Sequence, residues 1–505
     1  MKVDTLEIFR RYTGEETFNR IKHYESMAQM WEECSAEFAD SVAIVDKETE
    51  YTYRQLARDV ANYRTVLRDS GVKKGDTVAL LIPNSYDFVK AYLAAVTLGC
   101  TAAVLPAFLD AAAVYGCCMM FRPTALVSTA ATVAQTALAC EKLPDLKAID
   151  TAASAESETP AAQVDGKDGC TIILTGGTTG RPKGALLSNT AVLQGCVNSC
   201  YGIPEAFEQR YLLCLPLSHV FGLIRNLLAA LFTGSSLMIC RNNKDMFRDA
   251  ASFKPTIMVL VPALAEMALT LSKKFGRNMF GDSLKTIICG AASVPPYLVE
   301  EYDKLGVMLL PGYGLTESAN LVSGNPEPLK KPGSVGLMYP EQEYKLVNGE
   351  LWLKGKNMMD GYVAVDNSEA YEDGWFKTGD LVRIDDEGFL YITGRIKEVI
   401  VLPGGENISP AELEARFNTL DLIQDSQVFE DVDESGRHFL SLEVVPRATE
   451  VAKLGSADVN AVITEGLEKI NATLPPFARV NKITVRTSDF ERTPAMKIVR
   501  YKKCQ

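Results

Sequence analysis

A glycine- and threonine-rich segment follows a short apolar run near residue 174, where residues 172–174 have the character of a strand end. Glycines allow successive backbone N–H groups to point at one spot and form an anion-binding nest, while threonine hydroxyls and a lysine add donors and positive charge. The segment is not a Walker A loop, because no glycine is followed by lysine and then serine or threonine. We predict a phosphate site here, with a plain glycine turn as the alternative. The candidate residues are Thr175, Gly176, Gly177, Thr178, Thr179, Gly180 and Lys183.

Around this segment, predicted strands alternate with predicted helices. Residues 77–82 and 101–105 are short apolar runs typical of strands covered on both faces, and residues 86–98 between them have helical character. Strand-like runs return at residues 256–261, 284–289 and 307–310. Because such alternation is typical of parallel sheets, we predict an α/β fold with a large, multi-subdomain N-terminal region and more than one parallel-rich sheet.

The character of the chain changes near residue 394. Short strand-like runs at 389–393 and 398–402 precede Ser409, which with Pro410 and Glu412 forms the signature of a capped helix start. We therefore predict a large domain over residues 1–393 and a small α+β domain over residues 394–505.

The composition disfavours several functional classes. The 505 residues carry a net charge of -12, which gives no support for a nucleic-acid partner bound through phosphate contacts. A zinc site is not favoured, because the twelve cysteines are scattered and only three histidines are present as further ligands. The uncharged stretch 91–109 is divided by Gly99 and Pro106, so we predict a buried helix and strand instead of a membrane span. We expect a cytoplasmic protein with reduced thiols.

The glycine-rich segment resembles the phosphate loop of the adenylate-forming superfamily, which includes acyl- and aryl-CoA ligases, peptide-synthetase adenylation domains and firefly luciferase. That family usually has serine where this chain has Gly176. Six further segments resemble family motifs in the family's order: the acyl-pocket segment at 215–222, the adenine-side loop at 290–295, the adenine, phosphate and magnesium motif at 312–317, the ribose motif at 375–380, the interdomain hinge at 394–397 and the catalytic-lysine motif at 492–498.

The resemblance implies roles for individual nucleotide-site residues. Tyr313 would stack on adenine, Thr316 would donate to a phosphate, and Glu317 would hold magnesium directly or through water. Asp380 would accept two ribose hydroxyls, with Arg395 near the same sugar. The two loops would supply nucleotide contacts from Gly290, Ala291, Ala292, Gly312, Tyr313 and Gly314.

The same resemblance implies the catalytic groups. Lys497 would neutralise charge developing around the α-phosphate, Lys397 would be the hinge, and His219 would gate the acyl pocket or orient the carboxylate. The alternatives are one more lysine in a basic stretch, a solvated loop lysine and a packed core histidine. A loop that would enter the site for the thiol step contains Gly404, Gly405 and Glu406.

The implied activity is ATP- and magnesium-dependent activation of a small carboxylic acid to an acyl-adenylate, followed by transfer to the thiol of coenzyme A. Positioning and charge stabilisation would carry most of this chemistry. Two alternatives remain at this point: loading of a carrier-protein thiol, and a nucleotide-binding regulator that has lost the chemistry.

Phe221 and Arg225 are the candidate acyl-pocket residues. Amino-acid-activating members of the family have an aspartate in this segment that pairs with the substrate ammonium, and a gap-free alignment back from Gly234 puts Phe221 at that position. We therefore expect a preference for acids without an α-amino group. Arg225 either lies outside the pocket or binds a second carboxylate on a polar substrate.

Overall fold

The computed structural model describes residues 4–175, 183–401, 407–432, 438–455, 458–492 and 498–500. The chain divides into two compact units. The first unit contains Met1–Glu343, Leu353–Trp375 and Asp386–Phe389, and the second contains Tyr344–Trp352, Phe376–Asp385 and Leu390–Gln505. Two segments that precede residue 390 therefore belong to the second unit. The division of roles between residues 1–393 and 394–505 stays a prediction.

The helices and strands of the described residues alternate along most of the first unit. The α-helices are α1 Thr5–Thr13, α2 Glu15–Arg20, α3 Met27–Glu37, α4 Tyr53–Asp69, α5 Tyr86–Thr97, α6 Ala111–Phe121, α7 Val133–Lys142, α8 Asn189–Asn198, α9 Val220–Gly222, α10 Ala229–Phe232, α11 Met246–Phe253, α12 Pro262–Phe275, α13 Pro296–Lys304, α14 Pro410–Phe417, α15 Ala448–Val451 and α16 Val459–Ala472. The strands are β1 Val42–Asp46, β2 Thr49–Thr52, β3 Thr77–Leu81, β4 Thr101–Val104, β5 Ala125–Ser128, β6 Lys147–Asp150, β7 Gly169–Thr175, β8 Lys183–Ser188, β9 Arg210–Leu213, β10 Ser236–Ile239, β11 Ile257–Leu260, β12 Thr286–Cys289, β13 Met308–Gly314, β14 Leu321–Gly324, β15 Leu337–Met338, β16 Glu343–Val347, β17 Glu350–Lys354, β18 Gly361–Tyr362, β19 Tyr371–Glu372, β20 Trp375–Ile384, β21 Leu390–Arg395, β22 Ile400–Val401, β23 Asn407–Ile408, β24 Ile423–Val432, β25 His438–Pro446 and β26 Lys482–Val485.

The first unit contains two large sheets. Within the described ranges, one has the order β15-β14-β13-β12-β11-β9-β10-β1-β2, and its central strands from β13 to β1 are parallel. The other has the order β18-β8-β7-β4-β3-β5-β6, with β7, β4, β3, β5 and β6 parallel. The central strands are buried and apolar, as expected when helices cover both faces of a parallel sheet. The predicted α/β class with parallel-rich sheets is confirmed.

Local sequence signals explain why individual elements begin where they do. The Thr52 side chain accepts a hydrogen bond from the Gln55 backbone N–H at 3.2 Å, and the Gln55 side chain accepts from the Thr52 N–H at 2.8 Å. This reciprocal capping box satisfies two N–H groups that the first turn of α4 cannot pair. Ser409 caps α14 in a similar way, through its bond from the Glu412 N–H.

The second unit contains the small α+β region. Strands β24, β25 and β26 form one sheet, and α14 and α16 pack on its apolar face around Phe417, Ile463 and Leu467. A second sheet joins strands in the order β16-β17-β20, with β21 antiparallel to β20. This pairing positions residues 380 and 395 opposite each other.

Candidate active site

Two glycine motifs lie side by side at the carboxyl ends of β12 and β13. The strands are parallel, with Cys289 opposite Pro311, so Gly290, which follows β12, lies next to Gly312 within β13. A Cβ on Gly290 would lie 2.9 Å from the Gly312 carbonyl oxygen, closer than real side chains come. The approach of the two backbones therefore requires glycine at residue 290. In open α/β sheets the carboxyl ends of the strands are where ligands bind.

Ala291 continues from Gly290 with a positive φ of 66°. For a residue with a Cβ, the left-handed conformation costs roughly 1–2 kcal/mol, and such strain is concentrated at functional sites. Ala292, which follows, is exposed. Nothing in the local sequence indicated the strained alanine, because alanine does not favour that conformation.

Tyr313 lies inside β13, and the prediction that this strand ends at residue 310 is wrong. The strand continues through Gly314 because its last residues pair antiparallel with β14, where Tyr313 is opposite Ser323. A Cβ on Gly314 would lie 2.2 Å from the Asn320 carbonyl oxygen, which explains the second glycine of the motif. The half-buried Tyr313 ring therefore projects from a rigid hairpin instead of a loop.

Glu317 is held by a residue that sequence reasoning missed. The Tyr362 hydroxyl donates a hydrogen bond to Glu317 Oε1 at 2.6 Å. Lys183 Nζ lies over the ring of Tyr362, 4.9 Å from the ring centroid, in a cation–π contact. Strand β18 fixes Tyr362 by pairing it with Ala185. Tyr362 therefore links the lysine that follows the phosphate segment to the candidate magnesium ligand. The sequence gives no sign that Tyr362 contacts Glu317, because 45 residues separate the two and only the fold brings them together.

Thr316 and Glu317 form a short 3₁₀ turn with Ser318. The Ser318 hydroxyl accepts from the Leu315 N–H at 2.9 Å and lies 2.7 Å from the Asn320 carbonyl oxygen, which it contacts as donor. These bonds hold the turn, so the half-buried Thr316 and Glu317 side chains are presented from a fixed backbone.

The residues around Glu317 fit a magnesium ion that is bound together with a nucleotide. Among the described residues no cluster of three or more histidine, cysteine or acidic side chains is arranged to hold a metal alone. Magnesium is usually held by one or two carboxylates together with substrate phosphates and water. The Glu317 carboxylate, together with phosphates bound at the glycine-rich segment, would supply these ligands.

His219 lies at the start of α9, where its Nδ1 accepts a hydrogen bond from the Phe221 backbone N–H at 3.2 Å. In the neutral imidazole this bond assigns the proton to Nε2, which is then a donor. Phe221 is buried, and its ring tip comes within 3.4 Å of where a Cβ on Gly290 would be. The acyl-pocket candidate thus packs directly against the adenine-side loop.

Arg225 belongs to a π-helical turn, Leu223–Leu228, between α9 and α10. It is only 2% exposed, and it lines a cavity together with Ile288, Leu310 and Leu321. Arg225 therefore lines a cavity of the first unit, and its place in the acyl pocket stays a prediction.

In the second unit, Asp380 and Arg395 face each other across β20 and β21. Arg395 Nε donates to Asp380 Oδ1 at 2.5 Å, and the carboxylate is almost fully buried while the guanidinium is 42% exposed. A carboxylate offers about four acceptor positions, so Asp380 can accept ribose hydroxyls beside this bond. The two residues predicted to share one sugar are brought together.

Gly379, before Asp380, has a φ of +72°, and a Cβ there would meet no atom within 4 Å. The glycine is required by its backbone conformation and not by crowding. Its N–H donates to Glu350 Oε1 at 2.9 Å, and Thr378 Oγ1 donates to the Leu351 carbonyl at 2.6 Å. These bonds fix the backbone that carries Asp380.

Lys397 is exposed on a 3₁₀ turn, Ile396–Glu398, that directly follows β21. The preceding Gly394 is closely approached by Ser409, whose hydroxyl donates to the Thr393 carbonyl at 2.5 Å. The turn is thus short, and the backbone just before it is held by the Ser409 hydrogen bond. The hinge role of Lys397 stays a prediction.

Several predicted site residues lie outside the described residues. Arg492 and Ile498, which flank the lysine motif, form an antiparallel bridge, and Arg492 pairs with Asp425. The predictions that cannot be located are Gly176, Gly177, Thr178, Thr179, Gly180, Gly404, Gly405, Glu406 and Lys497.

Two further observations bear on the chemistry. Burial raises the pKa of the Cys289 thiol, so the cysteine before the adenine-side loop stays protonated and is a poor nucleophile.

Across the part of the chain that the structure describes, no helix combines the length and apolar character that a membrane crossing needs.

Comparison with known proteins gives matches along nearly the whole chain. Residues 31–363 match the AMP-binding enzyme family and residues 397–505 match the AMP-binding enzyme C-terminal domain. The peroxisomal OPC-8:0-CoA ligase 1 of Arabidopsis thaliana is 28% identical, with 91% of this chain and 89% of the relative covered. A feruloyl-CoA synthase of an Amycolatopsis species is 30% identical over 72% of this chain and 77% of its own length.

A solved structure supports the fold. The o-succinylbenzoate CoA synthetase of Bacillus subtilis, in complex with its acyl-adenylate intermediate, has a TM-score of 0.79 at 23% identity and covers 95% of this chain and 98% of its own. The glycine motifs after β12 and within β13 and the Glu317 turn lie in the stretch that the first family match covers, and Asp380 and Arg395 lie between the two matches. The chain belongs to the AMP-binding enzyme family.

Proposed function

We propose that this protein is an ATP-dependent acyl-CoA ligase that activates a carboxylic acid as an acyl-adenylate and transfers the acyl group to the thiol of coenzyme A. The observation that carries the proposal is the close approach of Gly290 and Gly312, with Glu317 held nearby by Tyr362. The named relatives are CoA ligases, which supports coenzyme A as the acceptor.

In the proposed nucleotide site, Tyr313 stacks on adenine and Asp380 accepts the ribose hydroxyls, with Arg395 orienting its carboxylate. Thr316 donates to a phosphate. Lys183 places its charge beside the phosphates, where the Tyr362 ring limits its movement. Backbone N–H groups and hydroxyls from the glycine-rich segment complete the phosphate contacts, through Thr175, Gly176, Gly177, Thr178, Thr179 and Gly180.

In the first step, a carboxylate oxygen attacks the α-phosphorus and forms a P–O bond, while the bond to pyrophosphate breaks and pyrophosphate leaves with the electron pair. No proton transfer is needed. Lys497 neutralises charge on the α-phosphate, and the Nε2–H of His219 orients the attacking carboxylate. A magnesium ion at Glu317, when bound, supplies charge neutralisation at the phosphates.

In the second step, the thiolate of coenzyme A attacks the acyl carbon, and AMP leaves with the electron pair of the C–O bond. The thiol proton passes to solvent. We assign the approach of the thiol to the segment that contains Gly404, Gly405 and Glu406. Lys397 is the residue whose backbone rotation separates this step from adenylation.

The test is ATP–pyrophosphate exchange with a panel of carboxylic acids, followed by acceptor assays with coenzyme A and with a phosphopantetheinylated carrier protein. We expect acid-dependent exchange and acyl-CoA formation. Exchange without acyl-CoA, but with carrier loading, would identify the alternative acceptor and contradict the proposed one. Absence of exchange with every acid would contradict adenylation itself.

Two variants connect the assay to the geometry. Tyr362→Phe removes one hydroxyl and leaves the ring that contacts Lys183, so we expect exchange to fall by about tenfold through loss of one charge-assisted hydrogen bond of roughly 1.5 kcal/mol. Tyr115→Phe, on α6, is the matched control and should leave exchange unchanged.

A further inference from the structure

A cavity in the first unit begins directly behind the two glycine motifs. It is small, with about 10 Å³ of space for the centre of a water-sized molecule, which is room for about one water. Leu321 connects it to the motifs: a Cβ on Gly290 would lie 3.7 Å from Leu321 Cδ2, and a Cβ on Gly312 would lie 2.6 Å from Leu321 Cδ1. Ile288 and Leu310, on β12 and β13, continue the wall. An acyl group that extended from AMP at these glycines toward Arg225 would widen this cavity by displacing the side chains that line it.

The cavity is mainly apolar, but one wall carries a full positive charge. Arg225 is 2% exposed, and its Nε and Nη1 have no hydrogen-bond partner among the described residues. The titratable groups whose pKa the charge of Arg225 lowers are Tyr211, Tyr339, Cys196 and Cys200, and burial raises the pKa of all four, so they are neutral at physiological pH. Burial raises the pKa of Tyr339 to about 12, so this hydroxyl does not ionise to balance the arginine. The guanidinium is therefore buried without a compensating anion.

An uncompensated buried charge opposes folding, because the desolvation of the ion is not repaid by a partner. Such a group is explained when a ligand supplies the partner. The guanidinium stays charged at all physiological pH values and presents a planar fork of donors that matches a carboxylate. Its neighbour Asn226 is also fully buried, and both of its amide atoms lack partners among the described residues. The two residues share a π-helical turn, a feature frequent at functional sites.

We propose that Arg225 binds a carboxylate at the far end of the substrate, so that the preferred acid carries a second carboxylate and is activated at the other one. The proposal rests on the proposed function and specifies its substrate class. The arginine-bound carboxylate is held away from the α-phosphorus, which restricts adenylation to one end of the molecule. An acid with a methyl group in place of the second carboxylate would leave the charge unpaired.

The test uses matched acids that differ only at the far end: hexanoate and hexanedioate, octanoate and octanedioate, and 3-methylbenzoate and benzene-1,3-dicarboxylate. ATP–pyrophosphate exchange gives kcat/KM for each. For at least one pair we expect the wild type to prefer the diacid by about 10²–10⁴-fold, since a site built to bind a polar group strongly rejects the analogue that lacks it. Preference for the methyl-ended acid in every pair would overturn the proposal.

Variants separate recognition from folding. Arg225→Met replaces the charge with an apolar chain of similar length and should abolish or reverse the preference. Arg225→Lys keeps the charge but loses the fork, and should retain a weakened preference. The control is Arg277→Met, the same exchange at an exposed position beyond α12, and it should behave as wild type. An unchanged diacid preference in Arg225→Met would contradict the assignment.

A second readout does not depend on turnover. With AMP present, a diacid should raise the thermal unfolding midpoint of the wild type but not that of Arg225→Met. If no acid supports exchange, the proposed function fails, while this measurement still decides the role of Arg225: a selective shift supports it, and equal shifts or none in the two proteins contradict it.

Discussion

Asp380 and Arg225 are both almost fully buried charged side chains, but only Asp380 has an oppositely charged partner among the described residues. Asp380, in the second unit, receives a 2.5 Å hydrogen bond from Arg395 across paired strands. Arg225, in the first unit, has two guanidinium nitrogens without a partner among the described residues. The first charge is balanced before any ligand arrives. The second is balanced only if a ligand brings the anion.

The contrast extends to the other predicted residues of each unit. The first unit supplies shape through Gly290, Gly312 and the cavity behind them. The second unit carries the charged candidates Asp380, Arg395 and Lys497. We therefore expect changes around the cavity of the first unit to alter which acid is accepted, and changes in the second unit to alter nucleotide use and the rates of the two steps. The following predictions test this division.

The largest effect expected is discrimination against α-amino acids. Wild-type exchange should favour 3-phenylpropanoate over phenylalanine, and propanoate over alanine, by roughly a thousandfold or more, because an unpaired buried ammonium costs several kcal/mol. Phe221→Asp should narrow this ratio by supplying an anion. A consistent preference of the wild type for the amino acids would contradict the pocket assignment while leaving adenylation intact.

Lys497→Ala should reduce adenylation by about 10²–10³-fold, the usual effect of removing one preorganised stabilising group. Thioester formation from a supplied acyl-adenylate and the ranking of acids should be retained. Single-turnover assays of each half-reaction measure the separation, and Lys502→Ala is the neighbouring lysine control. Equal loss in both half-reactions, in a folded variant, would remove Lys497 from this role.

Arg395→Met should lower the free energy of unfolding by about 2–3 kcal/mol, because it removes the arginine charge that neutralises the buried Asp380 carboxylate. Asp380→Asn should cost less, about 1 kcal/mol, since water can solvate the partly exposed guanidinium that remains. Arg225→Met should have the opposite sign and stabilise the ligand-free protein. Urea titrations followed by tryptophan fluorescence give the three values. If Asp380→Asn destabilises the protein more than Arg395→Met does, Arg395 is not the group that neutralises the Asp380 carboxylate.

Lys397→Pro should slow thioester formation by roughly tenfold, about 1.4 kcal/mol in the barrier, and leave adenylation closer to the wild-type rate. Proline fixes φ and restricts the preceding residue, so it opposes backbone rotation at the hinge. The ratio of the two half-reaction rates is the measurement, with Lys397→Ala as control for the lost side chain. An unchanged overall rate would mean that residue 397 is not the hinge.

The sequence predicted the α/β class and most element positions because apolar periodicity and capping residues are local signals. The capped helix start at Ser409 and the glycine motifs after β12 and within β13 are examples. The sequence misplaced the end of β13 because the extra residues pair with β14, and such pairing depends on a strand that follows later. It missed Tyr362 for the same reason, since β18 brings this residue to Glu317.

Arg225 shows a different limit. Its position beside the acyl-pocket segment was readable, but its burial and lack of partners depend on residues from distant parts of the chain, including Tyr211 and Tyr339. Whether a charge is balanced is a property of the packed structure. Likewise, a positive φ at Ala291 is imposed by the surrounding backbone and not by the alanine.

The far wall of the cavity includes Phe9 on α1, whose ring lies 5.1 Å from that of Tyr339 between centroids. This residue precedes residue 31, where the family match begins. Under the proposed role of this cavity, part of the surface that would limit the length of the acid is encoded apart from the segment that performs the chemistry. During divergence, mutations in this helix can change the preferred acid without passing through forms that have lost adenylation.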